Sequence, residues 1–213
     1  MTRHLLQGHQ KFHEEYFAER EFLERLAEEG QRPKALFIGC CDSRVIPEYL
    51  TSSGFGELFV LRNIANFVPP LEHADDSVGA AIDYALESLN VPDVIVCGHL
   101  GCGGIVASLG DIEPLREGRP SLFRWLDSVA TGTRPVAAAT DLTGDALLDE
   151  AVRENVLCAL ENLLTYDSVR RRLDDGALHM HGWIYDMRAT EISVYDHAST
   201  SWRSALDLRA SRV

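Results

Sequence analysis

Cysteine and histidine gather at two places in this chain, each directly after a short apolar run. The first is Cys40-Cys41-Asp42-Ser43-Arg44, which follows Ala35-Leu36-Phe37-Ile38. The second is Cys97-Gly98-His99-Leu100-Gly101-Cys102-Gly103-Gly104, which follows Val94-Ile95-Val96. Two thiolates and one imidazole make a three-ligand zinc site with its fourth position open, the catalytic rather than the structural pattern. Cys40, His99 and Cys102 are therefore the candidate ligands for a Zn2+ ion, one per subunit. Singly, each signal is weak, since a lone cysteine at a strand end is usually a small buried hydrophobe. Together, beyond two strand-like runs, they point to metal.

Asp42 and Arg44 alternate with Cys40 at i+2 and i+4. The planar fork of arginine suits a bidentate carboxylate contact that keeps the acid ionised and aimed. Asp42 then has two open readings. It is either a fourth ligand that closes the site, or an Arg44-locked acceptor that selects zinc-bound hydroxide and orients it toward an electrophile. A buried ion pair without catalytic work is the bland alternative. Zinc lowers the pKa of its water, but two thiolates donate more charge than two imidazoles would, so activity is expected to rise with pH above neutral. Cys41, Cys97 and Cys158 read as non-ligands: one pointing away from Cys40, one within a strand, one on a long helix. His9 and His13, one turn apart with no third ligand nearby, read as an exposed or interface-facing pair.

The elements that must position these residues alternate between strand and helix, which sets the class at α/β. Branched apolar runs closed by glycine read as buried parallel strands, and ligands collect beyond the carboxyl ends of such strands. The pattern predicts a central, mostly parallel sheet of four parallel strands plus one antiparallel edge strand, flanked by helices. Residues 1–30 read as an N-terminal helical arm and 31–213 as an α/β core, together one domain spanning 1–213. The arm carries apolar and aromatic residues at helical spacing on a face broad enough to pack on a partner subunit. Arg62 to Asn66 read as a loop after the strand Glu57–Leu61. Asp75-Asp76-Ser77 offers a helix N-cap, a short helix is expected over Ser121–Ala130, and a long one from about Asp145 to Tyr166.

With 213 residues, 46% hydrophobic and 25% charged, the chain has the composition of an ordinary globular protein. A net charge of −13 argues against nucleic acid or an anionic membrane as partner, and no apolar run reaches the length of a membrane span. Five cysteines without framework spacing suggest a reducing compartment, and the cytoplasm is the expected location.

The stretches Gly39-Cys40-Cys41-Asp42-Ser43-Arg44-Val45, Gly56 to Asn66 and Cys97 to Gly104 resemble the β-class carbonic anhydrases, and the likeness runs on to His181-Gly182-Trp183-Ile184-Tyr185-Asp186. The resemblance implies zinc-dependent, reversible hydration of carbon dioxide to bicarbonate and a proton. Zinc would be held by Cys40, His99 and Cys102, with Asp42 and Arg44 as the dyad. In the plant-like branch the substrate pocket would be lined by Gln31, Phe59, Ile64 and Tyr84, with the Gly103 backbone nearby. Several of these are expected from the partner in a homodimer or higher homo-oligomer. Another branch has a tryptophan three positions before the first zinc cysteine, part of a regulatory bicarbonate site linked to the aspartate swinging onto zinc. Phe37 stands there in this chain, so the open-site, plant-like form is expected. His73 is a conceivable proton shuttle that stays outside the expected site. Competing readings are a carbonyl sulfide or carbon disulfide hydrolase on the same zinc, a non-catalytic zinc-stapled dimer module, and a helix-start phosphate site at Gly101–Gly104, which lacks the lysine of nucleotide loops.

Overall fold

The computed structural model describes residues 2–17 and 20–210. The chain divides into two compact units at Arg32/Pro33. The first holds helices α1 (Arg3–Tyr16) and α2 (Arg20–Glu29), neither of which buries a residue. His9 stacks with Phe12 and His13 leans on Phe17, so both histidines sit among aromatic neighbours on their own helical unit.

The second unit is built on one six-stranded sheet. In chain order its elements are β1 (Ala35–Cys40), α3 (Pro47–Thr51), β2 (Leu58–Asn63), α4 (Asp76–Asp83), β3 (Asp93–His99), α5 (Gly103–Leu109), α6 (Leu115–Gly118), α7 (Pro120–Ala139), α8 (Gly144–Leu163), α9 (Asp167–Asp174), β4 (His179–Asp186), β5 (Glu191–Asp196), β6 (Ser201–Ser204) and α10 (Ala205–Ala210). The strand order is β2-β1-β3-β4-β5-β6; the first four are parallel, and β5 and β6 are antiparallel. The expected fold class holds with one correction. The antiparallel edge contains two strands rather than one, because β6 is a four-residue polar strand too short to show alternation.

Every residue of β1 is buried, as a central strand covered on both faces requires. Leu36, Ile38, Val94 and Val96 meet Val152, Val156 and Leu160 of α8 in the main core. Two glycines permit that approach. A Cβ on Gly98 would come within 2.8 Å of Val156, and one on Gly182 within 3.1 Å of Leu160. Asp75 caps α4 by accepting from Ser77 N at 3.0 Å, as its residue type predicts.

Two further corrections concern local expectations. The helix expected over Ser121–Ala130 runs on to Ala139, through Gly132 and Pro135. Packing overrides propensity there: Val129, Ala130, Thr133 and Val136 are buried, Thr133 hydrogen-bonds Ser108 of α5, and Gly132 lies against Cys158 of α8. Arg62 and Asn63, expected in a loop, complete β2 by pairing with Gly39 and Cys40.

Candidate metal centre

β1 and β3 are neighbours in register, so Cys40 and His99 end side by side at the carboxyl edge of the sheet. Beyond His99 the chain turns through Gly101, whose φ of 69° lies in the region glycine adopts at no steric cost. That turn returns Cys102 as the residue before α5. The sulfurs of Cys40 and Cys102 and a ring nitrogen of His99 all lie within 4.8 Å of one another, and all three residues are buried. The two sulfurs are 3.8 Å apart, so they are not a disulfide, whose bond is about 2.05 Å.

The donor chemistry of this cluster fits a cation. His99 is 0% exposed, and its Nε2 has no hydrogen-bond partner, a condition that costs about 1–3 kcal/mol unless something fills it. Its Nδ1 lies 3.2 Å from the Leu100 carbonyl, the contact that commonly fixes the tautomer of a ligating histidine. The hydrogen bond between the thiols pulls Cys40 below the ordinary thiol range and pushes Cys102 above it. Backbone N–H groups of Asp42 and Ala65 also favour the Cys40 thiolate.

Asp42 stands beside this cluster and outside it. Its Oδ2 lies 3.9 Å from His99 Nε2, too long for a hydrogen bond. Arg44 takes both carboxylate oxygens instead: Nε donates to Oδ1 at 2.9 Å, a terminal nitrogen to Oδ2 at 2.7 Å, and the Arg44 backbone N–H adds a 3.0 Å bond to Oδ1. Bonding to the guanidinium holds the Asp42 carboxyl well below its usual range. Arg44 also borders a cleft of about 260 Å³, which gives the dyad access to solvent.

Arg62 lies near the end of β2. It donates to the Cys40 carbonyl at 2.9 Å and to the Asp42 carbonyl at 2.6 Å, and so braces the strand end that carries both residues. Phe37, which stands where another branch has tryptophan, is fully buried and packs edge-on against Trp183 at 6.3 Å.

The expected pocket residues fall in different places. Ile64 follows β2 directly, and a Cβ on Gly104 would come within 2.8 Å of its side chain, so Ile64 stands with the Cys102–Gly104 turn. A Cβ on Gly103 would meet nothing within 4 Å, so its backbone borders open space. Phe59 pairs with Leu36, whereas Cys40 pairs with Asn63. Four strand residues, about 13 Å, thus separate Phe59 from the cysteine's level. Tyr84 stacks against Phe59, ring centres 5.8 Å apart, and shares that distant position. Gln31 belongs to the N-terminal unit and is exposed. Among the other cysteines, Cys41 is exposed and Cys158 half-buried, while Cys97 is buried and pushed up to about 12 by desolvation. His73 is exposed beside Glu72.

A family model described as Carbonic anhydrase matches residues 35–192. The chain is 42% identical over 194 residues to a carbonic anhydrase of Synechocystis sp., an alignment covering 90% of this chain and 70% of that protein. Among solved structures, the β-carbonic anhydrase CcaA superposes with a TM-score of 0.89 at 40% identity, covering 95% of this chain and 91% of that one. A tetrameric β-carbonic anhydrase of the ascomycete Sordaria macrospora superposes with a TM-score of 0.78 at 29% identity, covering 90% and 94%. Likeness of that extent, over the residues that build the thiol and imidazole cluster, places this chain in the β-class carbonic anhydrase family.

Proposed function

We propose that Cys40, His99 and Cys102 hold one zinc ion per subunit and that the site hydrates carbon dioxide reversibly to bicarbonate and a proton. The observation that carries this is the buried convergence of two sulfurs and an unpartnered imidazole nitrogen beside an ionised Asp42. The choice of zinc is supported by the sulfur separation of 3.8 Å, since a tetrahedron with Zn–S near 2.3 Å has an edge of about 3.8 Å. When bound, zinc supplies the Lewis acidity that makes water a nucleophile near neutral pH.

This chain's own residues then orient the reaction. Asp42, ionised and gripped by Arg44, accepts a hydrogen bond and cannot donate one, so it selects a donor and turns that group's lone pair toward carbon dioxide. Ile64 and the Gly103 backbone form the near wall of the substrate pocket. Gln31, Phe59 and Tyr84 complete the pocket from a second copy of the chain, a homodimer or higher assembly. The distance of Phe59 and Tyr84 from the same-chain cluster and the tetrameric structural relative support that arrangement. The open-site form is supported by the binding of both Asp42 oxygens to Arg44. A reducing location such as the cytoplasm suits the site, because ligation needs free thiols, as all five cysteines are here.

Stopped-flow hydration of carbon dioxide against pH, with zinc content measured on the same sample, tests the proposal. Activity is expected to rise above neutral pH, to vanish on chelation and to return with zinc. Zinc-replete protein that leaves hydration at its spontaneous rate while releasing sulfide from carbonyl sulfide would move the substrate to that class. Inactivity toward both would leave a structural metal site.

A further inference from the structure

Residues 64–69 run irregularly between β2 and α4, yet five of their carbonyls each receive a side-chain donor. Trp125 of α7 gives its indole N–H to Ile64 O at 2.9 Å, and Asn155 of α8 gives Nδ2 to Ala65 O at 2.8 Å. Asn63 and Asn162 donate to Phe67 O and Val68 O, each at 2.8 Å, and the Tyr166 hydroxyl donates to Pro69 O at 3.0 Å. The sequence gives no sign of this ladder, because an asparagine on a helix reads as a surface residue.

Asn155 grips the rung nearest the metal cluster. Ala65 is fully buried with φ of 64°, a conformation that non-glycine residues keep only when their surroundings impose it. Its backbone N–H is among the donors that favour the Cys40 thiolate, and its Cβ lies at the Cys102–Gly104 turn, 3.0 Å from where a Cβ on Gly104 would stand. Asn155 is 1% exposed; its Nδ2 holds the Ala65 carbonyl while its Oδ1 has no partner. A half-satisfied buried amide is unfavourable, and leucine would fill nearly the same space without an orphaned oxygen. Local packing therefore does not account for asparagine here, whereas the grip on Ala65 does.

We propose that Asn155 is a positioning residue of the metal centre, keeping Ala65 turned so that its N–H stays on the Cys40 sulfur and moderates that ligand's donor strength. The inference rests on the assignment of Cys40, His99 and Cys102 as metal ligands. An N–H···S bond draws density from the thiolate and offsets part of the extra charge that two sulfurs give the metal. Outer partners of this kind typically change metal affinity 10–100-fold.

The test uses the full chain loaded with cobalt(II), in wild type, Asn155→Leu, Asn155→Ser and Asn162→Leu. The thiolate-to-cobalt charge-transfer band and the rate of cobalt loss to a chelator are read on protein shown folded by circular dichroism. Both Asn155 variants are expected to move the band to longer wavelength, since the sulfur lone pair loses its hydrogen bond, and to lose cobalt about 10-fold faster. Asn162→Leu removes an equal bond from the same helix but holds Val68; it is expected to lower the melting temperature and leave band and loss rate at wild type. A folded Asn155→Leu with the wild-type band and rate overturns the proposal, as does an Asn162→Leu that shifts both equally. If Asn155→Leu does not fold, Asn155→Ser, which leaves room for a water at the carbonyl, decides on the same readouts. Wild-type protein that takes up cobalt without a thiolate band overturns the metal assignment and the proposal with it.

Discussion

Arg44 holds Asp42 with three hydrogen bonds while its own side chain remains 61% exposed, so orientation matters more here than stability. Exposed pairs add little to folding, but in the proposed site a locked carboxylate beside the metal cluster would govern which lone pair faces the substrate. Asp42→Ala is expected to retain its metal and lose at least about 10-fold in kcat, the scale seen for outer partners of metal ligands. Zinc analysis alongside stopped-flow rates checks it, and near-unchanged turnover would remove the role assigned to this acid. The pH consequence has a definite sign. The folded pKa of Asp42 is depressed below its ordinary 3.8, so its contribution to stability is full above about pH 4 and is lost as the pH falls through the folded value. Any change of rate between pH 6 and 9 therefore belongs to another group.

At the scale of elements, the site depends on two helices gripping an irregular segment and on a close crossing at Gly104. A Cβ there would meet Ile64 Cγ2 at 2.8 Å and Ala65 Cβ at 3.0 Å, and the Ala65 main chain has little freedom to withdraw. Gly104→Ala is expected to cost about 1–3 kcal/mol, as overpacking does, and to raise KM by displacing Ile64; thermal melts and steady-state rates check both. Tyr166 closes the far end of the same segment through Pro69. Burial pushes its hydroxyl from an ordinary 10 up to about 12. A raised folded pKa means that its contribution is complete below pH 10 and is lost as pH climbs toward 12. Tyr166→Phe is expected to cost on the order of 1 kcal/mol at neutral pH and to flatten the alkaline limb of a stability-versus-pH curve, which denaturant titrations from pH 8 to 12 would show.

Across the whole molecule, two helices present their apolar side chains without burying any: Leu6 is 64% exposed, and Leu5, Phe12, Phe17 and Phe22 are exposed with it. A face of that kind marks an interaction surface, and the distance of Phe59 and Tyr84 from the same-chain cluster says what a second copy would add. Subunit mixing tests the composite site. In the proposed site Cys40→Ser would lack a ligand and Tyr84→Ala a pocket wall, so each alone is expected to be nearly inactive. Co-refolded together, they should recover a measurable fraction of wild-type activity, because half of the sites in a mixed dimer carry both intact parts. Mixtures no more active than their components, or one monomer peak in sizing at micromolar concentration, would overturn the shared pocket.

What the sequence carried by itself was residue types on short spacings. Cys40, Asp42 and Arg44 alternate beyond a strand, and Cys102 follows His99 across a single glycine turn, so the thiol and imidazole cluster and the Asp42–Arg44 pair depend on geometry a few residues long. The strand and helix alternation was legible for the same reason, since a buried β1 must be apolar throughout. Tertiary structure alone decided the rest. β6 is too short and polar to announce itself, and α7 passes Gly132 and Pro135 because Ser108 and Cys158 pack against it. Register separates Ile64 from Phe59, two residues that look equivalent in a list of apolar side chains. The left-handed Ala65 and its grip by Asn155 join positions 90 residues apart, and a single side-chain-to-main-chain bond over that separation leaves no periodicity for a sequence to display.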